Sequence, residues 1–121
     1  YVWEGRDLGG HREGRGDPRD AGVPSGPMRA YVEYSRGARF ATALERIREL
    51  AARAPTAVMC AEADPLGCHR QFIADRLVAG GDRVLHIRGG NAVEPHRLHH
   101  RARIEGGRIV YDSGAQVALA L

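Results

Sequence analysis

The sequence predicts one small α/β domain over residues 1–121, with a mostly parallel sheet, flanking helices and a short C-terminal β-hairpin. The spacing of apolar residues over 39–53 is typical of an amphipathic helix. An apolar run at 56–60, bounded by breakers, indicates a strand buried on both faces, as in a parallel sheet. A helix through 72–77 and a strand at 83–87 follow, and this order predicts a right-handed βαβ unit.

The amino-terminal residues predict a strand end, a long loop and a short helix. Tyr1-Val2-Trp3 is interpreted as the end of a strand. Residues 5–27 are rich in glycine and arginine and show neither a helical nor a strand period. A loop of this length in a compact domain is usually either functional or a mobile surface segment, and both interpretations stay open. Residues 28–34 are then predicted as a short helix with Tyr31 and Tyr34 on one face.

The elements on either side of the βαβ unit follow from local signals. The helix over 39–53 ends at Pro55, and its apolar stripe is formed by Phe40, Leu44, Ile47 and Ala51. Gly89-Gly90-Asn91 is expected to break the strand at 83–87, and the histidine-rich stretch 96–100 is expected to be a solvated basic turn. A hairpin is predicted around Gly106-Gly107, followed by an apolar tail that packs on the body.

Composition excludes several classes of protein. Hydrophobic residues make up 43% and charged residues 27%, as in ordinary globular domains. No apolar run approaches the roughly 20 residues that span a bilayer, so no membrane partner is expected. Two cysteines are too few for a disulfide scaffold and favour a reducing cytoplasm. All 18 basic residues are arginine, which indicates either a G+C-rich genome or recognition of phosphate and carboxylate by guanidinium groups.

The loop after the strand at 56–60 contains the strongest candidate site. Ligands of open α/β sheets collect at the carboxyl ends of strands, and this loop holds Cys60, Glu62, Cys68, His69 and Arg70. The following helix begins either at Pro65 or near Cys68, and its free N–H groups together with Arg70 predict an anion site. Cys68 is the candidate nucleophile, Glu62 the candidate base or hydroxyl partner, and His69 the assisting group.

Other interpretations of the same residues stay open. Cys60 and Cys68 also fit the role of buried packing residues. A metal site would need Cys60, Cys68 and His69 to meet one of the histidines at 96–100, and this spacing is not a standard zinc pattern. No metal and no cofactor is therefore predicted. A redox role would require the two sulfur atoms to lie close together, which seven intervening residues neither ensure nor forbid.

A second glycine-rich turn is expected to approach the same crevice. Gly9 and Gly10 follow the strand end at the amino terminus, and paired glycines allow the backbone to come close to a ligand. Arg12 could then reach the crevice beside Arg70. An ordinary flexible turn is the alternative.

These residues resemble the domain-of-unknown-function family 488. Its Cys-Ala-Glu and Cys-His-Arg motifs correspond to residues 60–62 and 68–70, and its Leu-Gly-Gly-x-Arg element to 8–12. Tyr31 and Tyr34, with Phe40, resemble its tyrosine-rich stretch; Tyr31 joins Arg70, Cys60, Gly9, Gly10 and Arg12 as a candidate ligand-binding residue. The resemblance extends over nearly the whole chain. It implies an amino-terminal segment of roughly 40 or more residues before Tyr1, with Ile-Gly-His-Ser and Asp-Val-Arg elements that this chain lacks.

The sequence thus leads to two function hypotheses. The first is a pocket at the strand ends that binds a small anionic ligand, nucleotide-like or phosphate-bearing, with catalysis that depends on Cys68 or Glu62. The second is a non-catalytic module for nucleic acid or a protein partner, suggested by the arginine- and glycine-rich amino-terminal stretch. The sequence does not decide whether the domain is an enzyme, and it predicts no oligomeric state.

Overall fold

Helices and short hairpins make up the part of the chain that the computed structural model describes, residues 1–10, 12–24, 26–60, 68–90, 92–106 and 108–112. The helices are α1 (Gly5–Leu8), α2 (Pro27–Tyr34), α3 (Ala38–Arg53) and α4 (Arg70–Ala79), with a 3₁₀ turn at Pro18–Asp20. The strands are β1 (Leu85–Ile87), β2 (Val93–Pro95), β3 (Arg103–Glu105) and β4 (Arg108–Val110). The helices predicted at 28–34, 39–53 and 72–77 are confirmed as α2, α3 and α4.

The predicted parallel sheet is wrong. Within the described residues, β1 pairs with β2 and β3 with β4, both antiparallel, as two separate two-stranded sheets. Residues 56–60 form no strand, and Met59 is 76% exposed. The βαβ unit therefore lacks its first strand. As predicted, the strand ends before Gly89 and Gly90, which lie in the connection from β1 to β2. These two strands pair with each other, and strands adjacent in sequence pair at a lower entropic cost than distant ones.

Local chemistry sets the ends of the long helices. Pro27 is the first residue of α2, where its missing N–H is not needed. α3 starts after Gly37 and stops two residues before Pro55. α4 ends at Gly80 and Gly81, and Gly81 has a φ of +96°, a conformation that favours glycine. None of the described helices has the length and apolar character needed to cross a membrane.

The core lies between α2, α3, α4 and β4. Burial of the apolar faces of α2–α4 stabilises the domain by roughly 1.5–3 kcal/mol per large side chain, before entropy is subtracted. The largest fully buried side chains include Tyr31, Phe40, Phe72, Ile109 and Tyr111. Phe72 and Tyr111 meet edge to face, with ring centroids 5.5 Å apart, which connects α4 to the end of the second hairpin.

The amino-terminal region differs from its prediction. Residues 1–3 are not a strand and are exposed. The long loop contains α1 and the 3₁₀ turn, and its later part is hydrogen-bonded to Tyr111. The Tyr111 N–H donates to the Arg19 carbonyl at 2.8 Å, and the Gly22 N–H donates to the Tyr111 carbonyl at 2.5 Å. The described residues around Arg19 and Gly22 are therefore fastened to the end of the second hairpin.

Candidate functional site

Cys68 lies just before α4, and its sulfur atom accepts hydrogen bonds from Arg70, the first residue of this helix. The Arg70 N–H lies 3.4 Å from Cys68 Sγ and its Nε lies 3.2 Å from the same atom. The N–H of Gln71 donates to the Cys68 carbonyl, and the N–H of Phe72 to the His69 carbonyl. The expectation of free N–H groups is therefore wrong for Arg70, Gln71 and Phe72, whose N–H groups already donate to Cys68 and His69. The predicted site residue Glu62 lies outside the described residues, and so does the alternative helix start at Pro65.

The two thiols lie next to each other. Cys60 Sγ and Cys68 Sγ are 3.6 Å apart, and neither cysteine is in a disulfide. Cys68 is only 3% exposed, whereas Cys60 is partly exposed. Burial opposes the charge on Arg70, but hydrogen bonds and charge interactions with both sulfurs outweigh it and raise the pKa of Arg70. The geometry thus places one guanidinium against two sulfur atoms.

His69 is held between Tyr31 and Gly10. The rings of Tyr31 and His69 have centroids 5.1 Å apart. Tyr31 is fully buried, its hydroxyl donates to the Leu8 carbonyl at 2.8 Å, and burial raises its pKa. A Cβ atom at Gly10 would lie 2.7 Å from His69 Nδ1, so only glycine leaves room for this imidazole. Tyr31 therefore supports His69 from the core.

Arg12 fixes the glycine turn. Its Nε donates to the Gly9 carbonyl at 3.0 Å and its Nη2 to the Arg6 carbonyl at 2.5 Å. Its guanidinium carbon lies 3.8 Å from the centre of the Tyr34 ring, a cation–π contact. The structure therefore brings the predicted Gly9-Gly10 turn to His69, while Arg12 is engaged with the turn and with α2.

Cys60, Cys68 and His69 also have the geometry of a three-ligand metal site. Their candidate ligand atoms all lie within 4.8 Å of one another. Two cysteines and one histidine form the donor set of some catalytic zinc sites that keep a fourth position open. Arg70, however, already donates a hydrogen bond to Cys68 Sγ and forms a second one with Cys60.

A buried carboxylate that the sequence prediction missed organises a second cluster. Asp75 is fully buried and accepts hydrogen bonds from His96 Nε2 at 2.6 Å, the Tyr111 hydroxyl at 2.6 Å and the His99 N–H at 3.1 Å. His96 Nδ1 lies 2.7 Å from His86 Nε2. The expectation of a solvated histidine turn is wrong for His96, which is buried. An aspartate within the apolar run of α4 was the signal for this cluster.

An open groove lies on another side of Arg70, the residue that contacts both cysteine sulfurs. It has a volume of about 710 Å³ and runs between α3, residues 56–58, α4 and the first hairpin. Arg70 and His86 both line it. Burial and the neighbouring charges of His96 and Arg88 lower the pKa of His86.

A comparison with known protein families shows to which family the chain belongs. A family described as "Domain of unknown function DUF488" matches residues 1–77. The chain belongs to this family. The resemblance inferred from the Cys-Ala-Glu and Cys-His-Arg motifs is thus confirmed over that span, which contains every predicted site residue of this DUF488 domain. His86 and His96 lie beyond it. No curated protein and no solved structure matches the chain.

Proposed function

We propose that this DUF488 domain binds a small anionic ligand beside Arg70 and uses Cys68 as its reactive group. The observation that carries the proposal is the double contact of Arg70 with Cys68 Sγ, through Nε at 3.2 Å and the backbone N–H at 3.4 Å. The thiolate is the nucleophilic form of cysteine, and hydrogen bonds from cationic and helix-terminal donors are stronger to an ionised acceptor. Such contacts suit a reacting sulfur better than a packing residue.

Arg70 connects the sulfur to a space large enough for a ligand. It lines the groove of about 710 Å³, so a phosphate or carboxylate entering there would meet a guanidinium group, which matches both anions well. His69, supported by Tyr31, is the assisting group in this proposal. Glu62 keeps its proposed role as a base or hydroxyl partner.

The alternative function, a nucleic-acid or protein-binding module, receives less support from the charges. Nucleic-acid binders concentrate positive charge on one face. Within the described residues, many arginines are instead paired with carboxylates: Arg19 with Asp17, Arg36 with Asp20, Arg39 with Asp7, Arg46 with Glu4, Arg48 with Asp82, Arg88 with Glu94 and Arg103 with Asp112. Binding of an oligonucleotide with a steep salt dependence would favour this alternative.

Thermal unfolding of the reduced chain tests ligand binding, with inorganic phosphate, sulfate and nucleotides as probes. A ligand at 100 times its Kd stabilises the folded state by about 2.7 kcal/mol. Arg70→Lys should weaken that response at least about tenfold, because an ammonium cannot replace the guanidinium fork. The matched control is Arg108→Lys on the exposed side of β4. An equal response in both variants, or none to any anion, would contradict the proposal.

Alkylation tests the reactive sulfur separately. Iodoacetamide labelling, followed by fragmentation of the labelled peptide, gives the rate at Cys68 and at Cys60. Arg70→Lys should slow labelling of Cys68 several-fold, and the anion found by thermal unfolding should protect Cys68. If the rate at Cys68 equals that of an unfolded control and no anion alters it, Cys68 is not the reactive group.

A further inference from the structure

The two neighbouring cysteines have the geometry for thiol oxidation, a reaction that the proposed anion site does not require. Cys60 Sγ and Cys68 Sγ are 3.6 Å apart, and a disulfide would bring them to about 2.05 Å, a closure of roughly 1.5 Å. Cys60 lies in a described stretch, residues 55–60, that has neither helix nor strand, so a small side-chain and backbone adjustment suffices. These are also the only two cysteines in the chain, so any intramolecular disulfide joins them.

The position of Arg70 favours oxidation of this pair over metal binding. Its Nε donates to Cys68 Sγ at 3.2 Å, and its side chain also forms a hydrogen bond with Cys60. A zinc ion held by both sulfurs and His69 would place a second cation beside this guanidinium. Two thiols next to a cationic side chain, one of them partly exposed, are instead the usual environment of redox-active cysteines.

We propose that Cys60 and Cys68 are a redox pair that hydrogen peroxide converts into an intramolecular disulfide. The partly exposed Cys60 thiolate attacks one peroxide oxygen, so that an S–O bond forms, the O–O bond breaks and hydroxide leaves. The Cys68 thiolate then attacks the Cys60 sulfenic sulfur, forming the S–S bond and expelling a second hydroxide. With two protons from the thiols, the products are one disulfide and two waters. Each sulfur is oxidised by one electron, and the peroxide is reduced by two.

The disulfide would switch off the anion chemistry, and this consequence rests on the proposed function. Oxidised Cys68 cannot act as a nucleophile, and Arg70 then faces a neutral disulfide in place of two ionisable thiol groups. Reduction by a dithiol restores both. Disulfide formation itself does not depend on ligand binding, so the two proposals fail separately.

Mass spectrometry of the full chain after hydrogen peroxide tests the pair. Cleavage at arginine releases residues 54–70 as one peptide that contains both cysteines. We expect this peptide to become two hydrogens lighter, and the change to reverse with dithiothreitol. Cys60→Ser should abolish the loss. Cys68→Ser should stop the reaction at a sulfenic acid on Cys60, which dimedone traps. Arg70→Gln should slow disulfide formation about tenfold, with Arg108→Gln as the unchanged control.

Three results would overturn the proposal. Oxidation of one cysteine to a sulfinic acid with the other still a thiol would show that the sulfurs do not meet. Disulfide-linked dimers without the intramolecular product would show the same. One equivalent of zinc in the purified chain, lost in both serine variants and protecting the thiols from peroxide, would assign the cluster to a metal.

Discussion

Gly10 is the residue at which a single methyl group would disturb the site most directly. Its three nearest neighbours for an added Cβ are all atoms of His69, the closest being Nδ1 at 2.7 Å. We expect Gly10→Ala to push the imidazole away from Tyr31 and to lower the free energy of unfolding by about 1–3 kcal/mol. Urea denaturation measures the loss.

A double-mutant cycle isolates the cause. If the clash with His69 is the reason, Gly10→Ala should cost less than about 0.5 kcal/mol in a His69→Ala background, because the methyl then has room. An equal cost in both backgrounds would mean that the glycine is needed for the backbone of the turn and that His69 is not held there.

The sequence could nominate candidate site residues but not their contacts. The Cys-His-Arg motif and the Gly-Gly turn could be found by residue type and spacing, and the structure brings both to Tyr31. The sulfur–sulfur distance and the direction of Arg70 depend on side-chain rotamers and on the path of residues between Cys60 and Cys68. Spacing along the chain contains neither, so the sequence leaves the redox interpretation as one of several, and it is the 3.6 Å contact that favours it.

Helices were predictable and the sheet was not, for the same physical reason. The stripe of α3 and the prolines and glycines at helix ends act over a few residues. A parallel sheet requires pairing between distant strands, and the apolar run at 56–60 contains no information about its partner. The hairpin predicted around Gly106 is present, since its two strands are neighbours in the chain.

Asp75 is the residue through which α4 is joined to the two hairpins. Its carboxylate accepts hydrogen bonds from Tyr111, His96 and the His99 backbone, and it is fully buried. Asp75→Ala would leave these donors unpaired inside the domain, and we expect a loss of about 3 kcal/mol in the free energy of unfolding. Urea denaturation followed by circular dichroism measures it.

Asp82→Ala is the matched control for this substitution. Asp82 pairs with Arg48 at 2.6 Å, but its side chain is 40% exposed, so its loss should cost less than about 1 kcal/mol. Equal losses at Asp75 and Asp82 would show that the buried cluster does not stabilise the junction. Near-UV circular dichroism should also change in Asp75→Ala, since Tyr111 loses its hydroxyl partner.

On the scale of the whole molecule, arginine side chains connect distant parts of the chain through ion pairs and hydrogen bonds. Arg46 bridges Glu4 and Asp7 of the amino-terminal region, and Arg36 pairs with Asp20, which is fully buried. Arg36 also donates to the Ile109 carbonyl at 3.0 Å. These contacts fasten the amino-terminal region to α3, to the turn between α2 and α3, and to β4. Composition alone could count the arginines but could not show how they are paired.

The histidines determine how the stability of the domain responds to mild acid. Burial lowers the pKa of His86 and His99 below the ordinary value of 6.5, with the charges of His96 and His100, respectively, as further causes. The unfolded chain therefore binds protons at a higher pH than the folded chain. The stability that these two groups contribute is complete above about pH 6.5 and is lost as the pH falls through their folded pKa values.

We therefore expect the free energy of unfolding to decrease from pH 7.5 to pH 5.5, by at most about 1.4 kcal/mol per pH unit for each proton taken up. Urea denaturation at several pH values gives the slope. His99→Gln should make the slope shallower, because it removes one group with a lowered pKa. His100→Gln, its neighbour at a ring distance of 4.3 Å, is the control and should retain a slope steeper than that of His99→Gln. A pH-independent stability across this range would mean that His86 and His99 titrate alike in the folded and unfolded states, and would contradict the lowered pKa of these two imidazoles.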